Sequence, residues 1–252
     1  MQQLNILVTG AGSGLGRGLC AHLSQKGHAI LATDLKLEAA RETAVQIGRG
    51  AEGHSLDVAS EDDVARLFAT LGERRIDVLI NNAGLQHVSR VEEFPTAKWD
   101  QLMDVMVRGT FLMTRAVLPG MRSRGFGRII NIGSIHAHIA SPYKSAYVAA
   151  KHAILGFSKT IALETGGTDI TINTICPAYI RTPLVDAQIK DQARTRGISE
   201  DEVIQKIMLE PMPKKSFITI DEVAAAAEYF ISPLARNVTG QTITIDGGWT
   251  VQ

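Results

Sequence analysis

The 252-residue sequence predicts a single doubly wound α/β domain with a mostly parallel seven-stranded sheet. Three observations carry that reading. Seven short apolar runs recur along the chain with amphipathic, helix-period segments between them, the alternation that builds βαβ units. The runs are almost continuously apolar, as suits strands covered on both faces. No stretch rich in Pro, Gly or Ser, no internal repeat and no low-complexity segment divides residues 1–252 into separate units.

Composition narrows the function classes. The chain has 45% hydrophobic and 21% charged residues, and its 26 Lys plus Arg balance 26 Asp plus Glu, for a formal net charge of +0. Bulk charge therefore supplies no attraction to nucleic acid or anionic membrane. The opening "MQQLNILVTG" enters a strand directly, without a basic region, apolar core and cleavage site. No uncharged apolar stretch reaches the roughly 20 residues needed to span a bilayer. The expectation is a cytoplasmic protein with neither nucleic-acid nor membrane partners. Cys20 and Cys176 lie far apart in sequence and read as small buried residues, not as a disulfide framework.

Taken in order, the first run, "LNILVT" at 4–9, leads straight into "TGAGSGLGRG" at 9–18. Gly10, Gly14 and Gly16 fall where strand turns into helix, so the backbone can approach a pyrophosphate and helix N-terminal amides can face its charge. A glycine cluster alone suits a simple tight turn equally well. The second run, "HAILATD" at 28–34, ends on Asp34, 18 residues after Gly16. A carboxylate there accepts from a ribose diol and repels a 2′-phosphate, which favours NAD over NADP. The third, "GHSLDV" at 53–58, holds Asp57, a candidate acceptor for an adenine amino group or a helix cap. The fourth, "DVLINN" at 77–82, closes on "NNAG", whose Asn82, Ala83 and Gly84 can border a cofactor. The fifth, sixth and seventh are "GRIINIGS" at 127–134, "DITINTICP" at 169–177 and "QTITIDG" at 241–247. Residues 183–218 break the rhythm: they are charged, read as helical in two pieces, and end in "EPMPKK", where prolines interrupt helix continuation. Ligands of open α/β sheets bind beyond the carboxyl ends of the strands, so this segment reads as a helical substrate lid, with a solvated surface helix pair as the alternative.

The chemistry-bearing residues gather after the fifth strand. Tyr147 and Lys151, four apart, share one helix face, and Ser134 lies 13 residues before Tyr147. An ammonium beside a phenol is expected to lower its pKa from about 10. The phenol then exchanges a proton with a carbonyl or alcohol, and Ser134 holds the same oxygen. Such chemistry calls for no metal. Gln86, His136, Lys144 and Gln188 fall around the same point; Lys144 would form a charge-assisted bond and the others would fix further oxygens, which suits a small carboxylate-bearing hydroxy or oxo acid. His87 reads as a surface loop residue and His138 as structural.

"TGAGSGLG", "NNAG", Ser134 followed by "YVAAK", and "PAYIRTP" occur in an order that resembles the short-chain dehydrogenase/reductase family over essentially the whole chain. The resemblance implies a Rossmann fold and direct hydride transfer with NAD. It gives Ser134 the role of orienting the reacting carbonyl, Tyr147 that of acid/base, and Lys151 a second role in holding the nicotinamide ribose. It also implies cofactor contacts at Ser13, Leu15 and Val58, and at Pro177, Ile180 and Thr182. "NNAGLQH", "EEFPTAKWD", "SAYVAAKH", "RTPLVDAQI" and "DGGWT" are similar to bacterial family members that oxidise (R)-3-hydroxybutyrate. That likeness implies substrate contacts at Gln86, His136, Lys144 and Gln188, a pocket helped closed by Trp249, and a homotetramer. One position departs: Met106 stands where the family usually places an asparagine of its proton relay, and a thioether cannot replace an amide's donor and acceptor. Another small oxo or hydroxy acid, a 3-oxoacyl thioester, or a weakly catalytic dinucleotide-binding role stay open as alternatives.

Overall fold

The computed structural model describes residues 3–251. In chain order its elements are β1 (Asn5–Thr9), α1 (Gly14–Gln25), β2 (Ala29–Asp34), α2 (Leu37–Ile47), β3 (Glu52–Ser55), α3 (Glu61–Leu71), β4 (Val78–Asn81), α4 (Thr96–Met103), α5 (Gly109–Arg124), β5 (Phe126–Ile132), α6 (Ser145–Glu164), β6 (Asp169–Pro177), α7 (Pro183–Arg196), α8 (Glu200–Val203), α9 (Ile220–Ile231) and β7 (Thr242–Ile245). All seven runs read as strands form strands, with ends that differ by a few residues.

The strands form one sheet in the order β3-β2-β1-β4-β5-β6-β7. Every neighbouring pair is parallel. Continuous apolarity has its cause here, because side chains on both faces are buried. Ile6, Val8, Ile30, Ile80, Ile130 and Ile175 pack beneath Leu19 and Leu23 of α1 and Val223 and Phe230 of α9. Leu7, Leu31, Leu79, Ile129 and Ile172 face the other way, against Leu67 of α3, Leu112 and Val117 of α5 and Ile161 of α6. The strand order reverses between β1 and β4, so connections leave in opposite directions and a crevice opens beyond their carboxyl ends.

Local chemistry ends the helices. Ser60 accepts from the Asp63 amide, and Glu61, Asp62 and Asp63 place negative charge against the positive end of α3. Thr219 and Glu222 form a reciprocal capping box on α9. Thr182 caps α7, with Pro183 in the first turn where its missing N–H costs nothing. Between α4 and α5 residues 104–108 wind as a π turn, closed by the Gly109 amide bonding to the Asp104 carbonyl. Met106 sits buried in that turn, packed with Leu102, Ala146 and Ala150.

Residues 183–218 have a small core of their own. Val185, Ile189, Val203 and Met208 cluster there, bordered by Tyr179 and Phe217. A parallel bridge between Ile180 and Ile218 closes the neck of the segment. Among the described residues no helix is long and apolar enough to cross a membrane.

Gly53 shows how closely helix and sheet approach. A Cβ there would lie 2.5 Å from the Arg41 amide nitrogen and 2.6 Å from the Ala40 carbonyl, all backbone atoms of α2. Gly53→Ala is therefore expected to destabilise by about 1–3 kcal/mol through overpacking. A thermal scan checks this, at roughly 2–4 °C of Tm per kcal/mol; an unchanged Tm would refute the close contact.

Candidate active site

The crevice beyond β1 and β4 has a volume of about 470 Å³ and divides into three parts by chemistry. Its first part is the turn after β1. Gly10 and Gly14 adopt φ of +62° and +52°, which disfavour any side chain. At Gly16 a Cβ would stand 2.3 Å from the Gly10 carbonyl oxygen and 2.5 Å from Asn82 Nδ2. The result is a bare backbone cradle opening on the N-terminus of α1, where Ser13 is extended and makes no side-chain cap. Asp34 stands at the wall with both oxygens fixed: Oδ2 accepts from the Gly12 amide and Oδ1 from the Lys36 amide, each at 3.0 Å. The guanidinium of Arg17 is held by the Gly12 carbonyl, Thr43 and Glu42. A cradle that a single Cβ would fill, facing helix amides, fits the pyrophosphate of a nicotinamide dinucleotide.

Gly10, Ser13, Gly14, Leu15 and Gly16 line this crevice, as do Asp34, Asn82, Ala83, Gly84, Ile180 and Thr182. Three expected contacts do not belong to its lining. Asp57 Oδ1 instead accepts from the Ala59 amide at 2.9 Å, closing the turn ahead of α3. Val58 is packed over Gly109, and Pro177 is buried in β6, paired with Ile245.

The second part is the turn after β5. Gly133 leaves no room for a side chain, since a Cβ would lie 2.6 Å from Cys176 Sγ. Ser134 then caps a short 3₁₀ turn over Ile135–Ala137, its Oγ accepting from the His136 amide at 3.2 Å. The first turns of α6 present Tyr147 and Lys151 to the same point. Lys151 Nζ donates to the Ile132 carbonyl at 2.7 Å and lies 5.5 Å from the centre of the Tyr147 ring. The expected lowering of the phenol's pKa is corrected here. Burial pushes Tyr147 up to about 12, with the Ser134 hydroxyl pulling only part of the way back. Burial also pushes Lys151 down to about 8. The ammonium is directed at a backbone carbonyl, and depth shifts each group toward its neutral form. Without ligand, Tyr147 is a neutral acid.

The third part is the outer end. Lys144 is only 7% exposed, and its Nζ donates to Tyr179 Oη at 3.2 Å. Among the described residues no carboxylate pairs with it, and burial pushes it down to about 8. Gln86, His136 and Gln188 line the same end. Gln86 Oε1 accepts from the His87 amide at 3.0 Å, which leaves its NH₂ group to donate, and Gln188 Oε1 is buried with no partner among the described residues. Trp249 backs this wall, 5.9 Å from the Tyr179 ring and 6.4 Å from that of His136. His87 stays outside, edge-on to Phe94 at 5.1 Å. His138 is exposed.

His136 is already committed in this state. Its Nδ1 meets Ser134 Oγ at 3.3 Å and its Nε2 meets Ser141 Oγ at 2.8 Å. Burial and the nearby charge of Lys144 hold its pKa down to about 3, so the ring is neutral. Tyr179 and Ser141 are the residues that sequence reasoning missed. Tyr179 stood inside "PAYIRTP" and was read only with the cofactor border, while Ser141 lies in a loop without periodicity.

Comparison with known proteins agrees with this geometry. Residues 10–250 match a family model described as enoyl-(acyl carrier protein) reductase. The D-beta-hydroxybutyrate dehydrogenase of Rhizobium meliloti (strain 1021) is 41% identical over 253 residues, covering 98% of each chain. That of Cupriavidus necator is 40% identical over 251 residues, covering 98% of this chain and 97% of its own. A variant of actinorhodin polyketide ketoreductase with NADPH superposes with a TM-score of 0.93 at 31% identity, over 98% of this chain and 97% of that one. Likeness of this extent, running through both the cradle and the catalytic turn, makes the chain a member of the short-chain dehydrogenase/reductase family, an oxidoreductase that works with a nicotinamide dinucleotide.

Proposed function

We propose that this enzyme reversibly oxidises (R)-3-hydroxybutyrate to acetoacetate with NAD. Lys144 carries the reading. A buried ammonium whose only hydrogen-bond partner among the described residues is a phenol oxygen lacks the anion that would normally accompany it, and a small carboxylate supplies one. The relatives named as D-beta-hydroxybutyrate dehydrogenases support the same substrate. A 3-oxoacyl thioester has no free carboxylate to bring to Lys144, which favours the acid.

The bound nicotinamide supplies the hydride acceptor. Lys144 holds the carboxylate, with Gln86 and Gln188 on its remaining oxygens. Residues 183–218 act as a lid that closes about the neck at Ile180 and Ile218 and carries Gln188 inward. Trp249 encloses the pocket behind Tyr179. Ser134 orients the reacting oxygen, and Tyr147 takes the hydroxyl proton as phenolate in oxidation or donates as a neutral acid in reduction. Asp34, held by two amides, favours NAD because a 2′-phosphate would meet its charge. The homotetramer and the cytoplasmic setting expected from the sequence belong to the same reading.

Initial rates with (R)- and (S)-3-hydroxybutyrate, each with NAD and NADP and beside 4-hydroxypentanoate, are expected to show a strong NAD-dependent preference for the (R) acid. Better turnover of the longer acid would move the substrate elsewhere. Tyr147→Phe is expected to lower turnover about 10²–10⁴-fold while fluorescence titration shows NADH binding retained; preserved turnover would remove Tyr147 from its role. Lys144→Ala is expected to raise KM for acetoacetate through loss of about 1.5–3 kcal/mol, without a matching loss on an uncharged ketone. Lys144 is charged below about pH 8 and neutral above it. Accordingly kcat/KM for acetoacetate, relative to a neutral ketone of similar size, falls as pH rises through that value, and a flat ratio would contradict carboxylate recognition.

A further inference from the structure

We propose that Ser134, His136 and Ser141 form a proton exit from the catalytic phenol to a separate surface hollow. The inference rests on Tyr147 as acid/base. Oxidising an alcohol with a nicotinamide cofactor leaves one proton behind, and Tyr147 must pass it on before the next turnover.

Outward transfer sets the direction of the hydrogen bonds. Ser134 Oγ accepts from the His136 amide at 3.2 Å, and in the transferring state it turns its own hydrogen from Tyr147 to Nδ1 at 3.3 Å. With Nδ1 accepting, the neutral ring carries its hydrogen on Nε2 and donates it to Ser141 Oγ at 2.8 Å. Ser141 is half-buried and lines the hollow together with Ser145, His138 and His152. Ser145 Oγ is buried there without a hydrogen-bond partner among the described residues. On another side of Tyr147 the packing is apolar, from Leu102, Met106, Ala146 and Ala150. A path through Met106 would have to cross a thioether, whereas the path through His136 is hydrogen-bonded at each step beyond Ser134.

The proton count closes. The alcohol gives its hydride to the cofactor and its hydroxyl proton to Tyr147, which enters the step as phenolate and leaves it as phenol. Tyr147 then protonates Ser134 Oγ as Ser134 releases its hydrogen to His136 Nδ1. His136 gives up its Nε2 hydrogen to Ser141, which passes one to bulk water. Each relay group ends with the protons it began with, and a return of the ring to its first tautomer resets the path. The transfer occurs as the emptied site takes up cofactor for the next oxidation, before Ser134 holds a substrate oxygen; reduction runs the same steps backwards. This arrangement accounts for both ring nitrogens of His136 being committed to serines, not aimed at a carboxylate. Ser141 touches no reacting atom and is a positioning residue, acting only through His136.

Ser141→Ala and Ser141→Thr test the proposal. In the full-length enzyme without substrate, imidazole ¹⁵N shifts are expected to show His136 as the Nε2–H tautomer in wild type and Ser141→Thr, and as a tautomer mixture in Ser141→Ala. In alcohol oxidation at saturating substrate, Ser141→Ala is expected to lose about tenfold or more in kcat and to gain a larger solvent deuterium isotope effect. KM and the NADH Kd stay within about twofold, and Ser141→Thr restores kcat. A Ser141→Ala enzyme with wild-type kcat and solvent isotope effect overturns the exit, as does a loss confined to KM or an unchanged His136 tautomer. The substrate assignment fails separately: wild type would then be inactive on 3-hydroxybutyrate, and the kinetic arm would use whichever secondary alcohol it does oxidise. If it oxidises none, the tautomer result decides.

Discussion

The active site depends first on the way Asn82 ties two turns together. Its Nδ2 donates to the Thr9 and Gly10 carbonyls at 2.9 and 3.0 Å, and its amide and that of Ala83 each donate to Thr9 Oγ1 at 3.0 Å. These are groups at the open end of the sheet, where β1 and β4 part and no further ladder can satisfy them. One side chain thereby fixes the glycine turn, the start of α1 and the "NNAG" turn relative to one another. Behind it a second set of amides and hydroxyls joins β4, β5 and α6, from Asn81 to Asn131 at 2.8 Å and from Asn131 to Ser158 at 2.9 Å. The cofactor cradle and the helix carrying Tyr147 are thus parts of one hydrogen-bonded frame.

Within that frame the electrostatics are incomplete without ligands. Lys144 and Lys151 are both buried, and each donates to a neutral oxygen, Tyr179 Oη in one case and the Ile132 carbonyl in the other. Burial presses both lysines, His136 and Tyr147 toward their neutral forms. Asp34 is the only acid among the described residues lining the crevice, and its two oxygens serve backbone amides. A diphosphate and a carboxylate would bring the negative charge that this end of the molecule lacks. Substrate and cofactor therefore act on protonation as well as on position, which a reading of neighbours in sequence does not capture.

Much of the fold was legible because parallel strands buried on both faces lose their alternation, and β1, β4, β5 and β6 all show it. The glycine turn, Asp34 and the Ser134, Tyr147 and Lys151 set were legible because their spacing is local to a turn or a helix face. What depends on depth was not. Lys151 was legible as the neighbour of Tyr147, yet the phenol moves up and not down, because burial decides its direction and is invisible in a linear pattern. Tyr179 escaped notice because its partner Lys144 is 35 residues away. Met106 could be seen as a departure, but not its surroundings: in the fold it is one member of an apolar cluster and lies in a π turn that no residue pattern announced.

That π turn bears on how the chain can change length. An α-helix advances about 100° per residue, so the orientation of α5 depends on every residue in the helical run before it. A π turn takes up one residue more than an α turn, so removing one residue from 104–108 would restore a regular helix and leave Leu112, Met113, Val117 and Met121 on the sheet face they cover. Within the run from Thr96 to Arg124 the π turn is therefore where related chains can differ by one residue and keep the helix in phase.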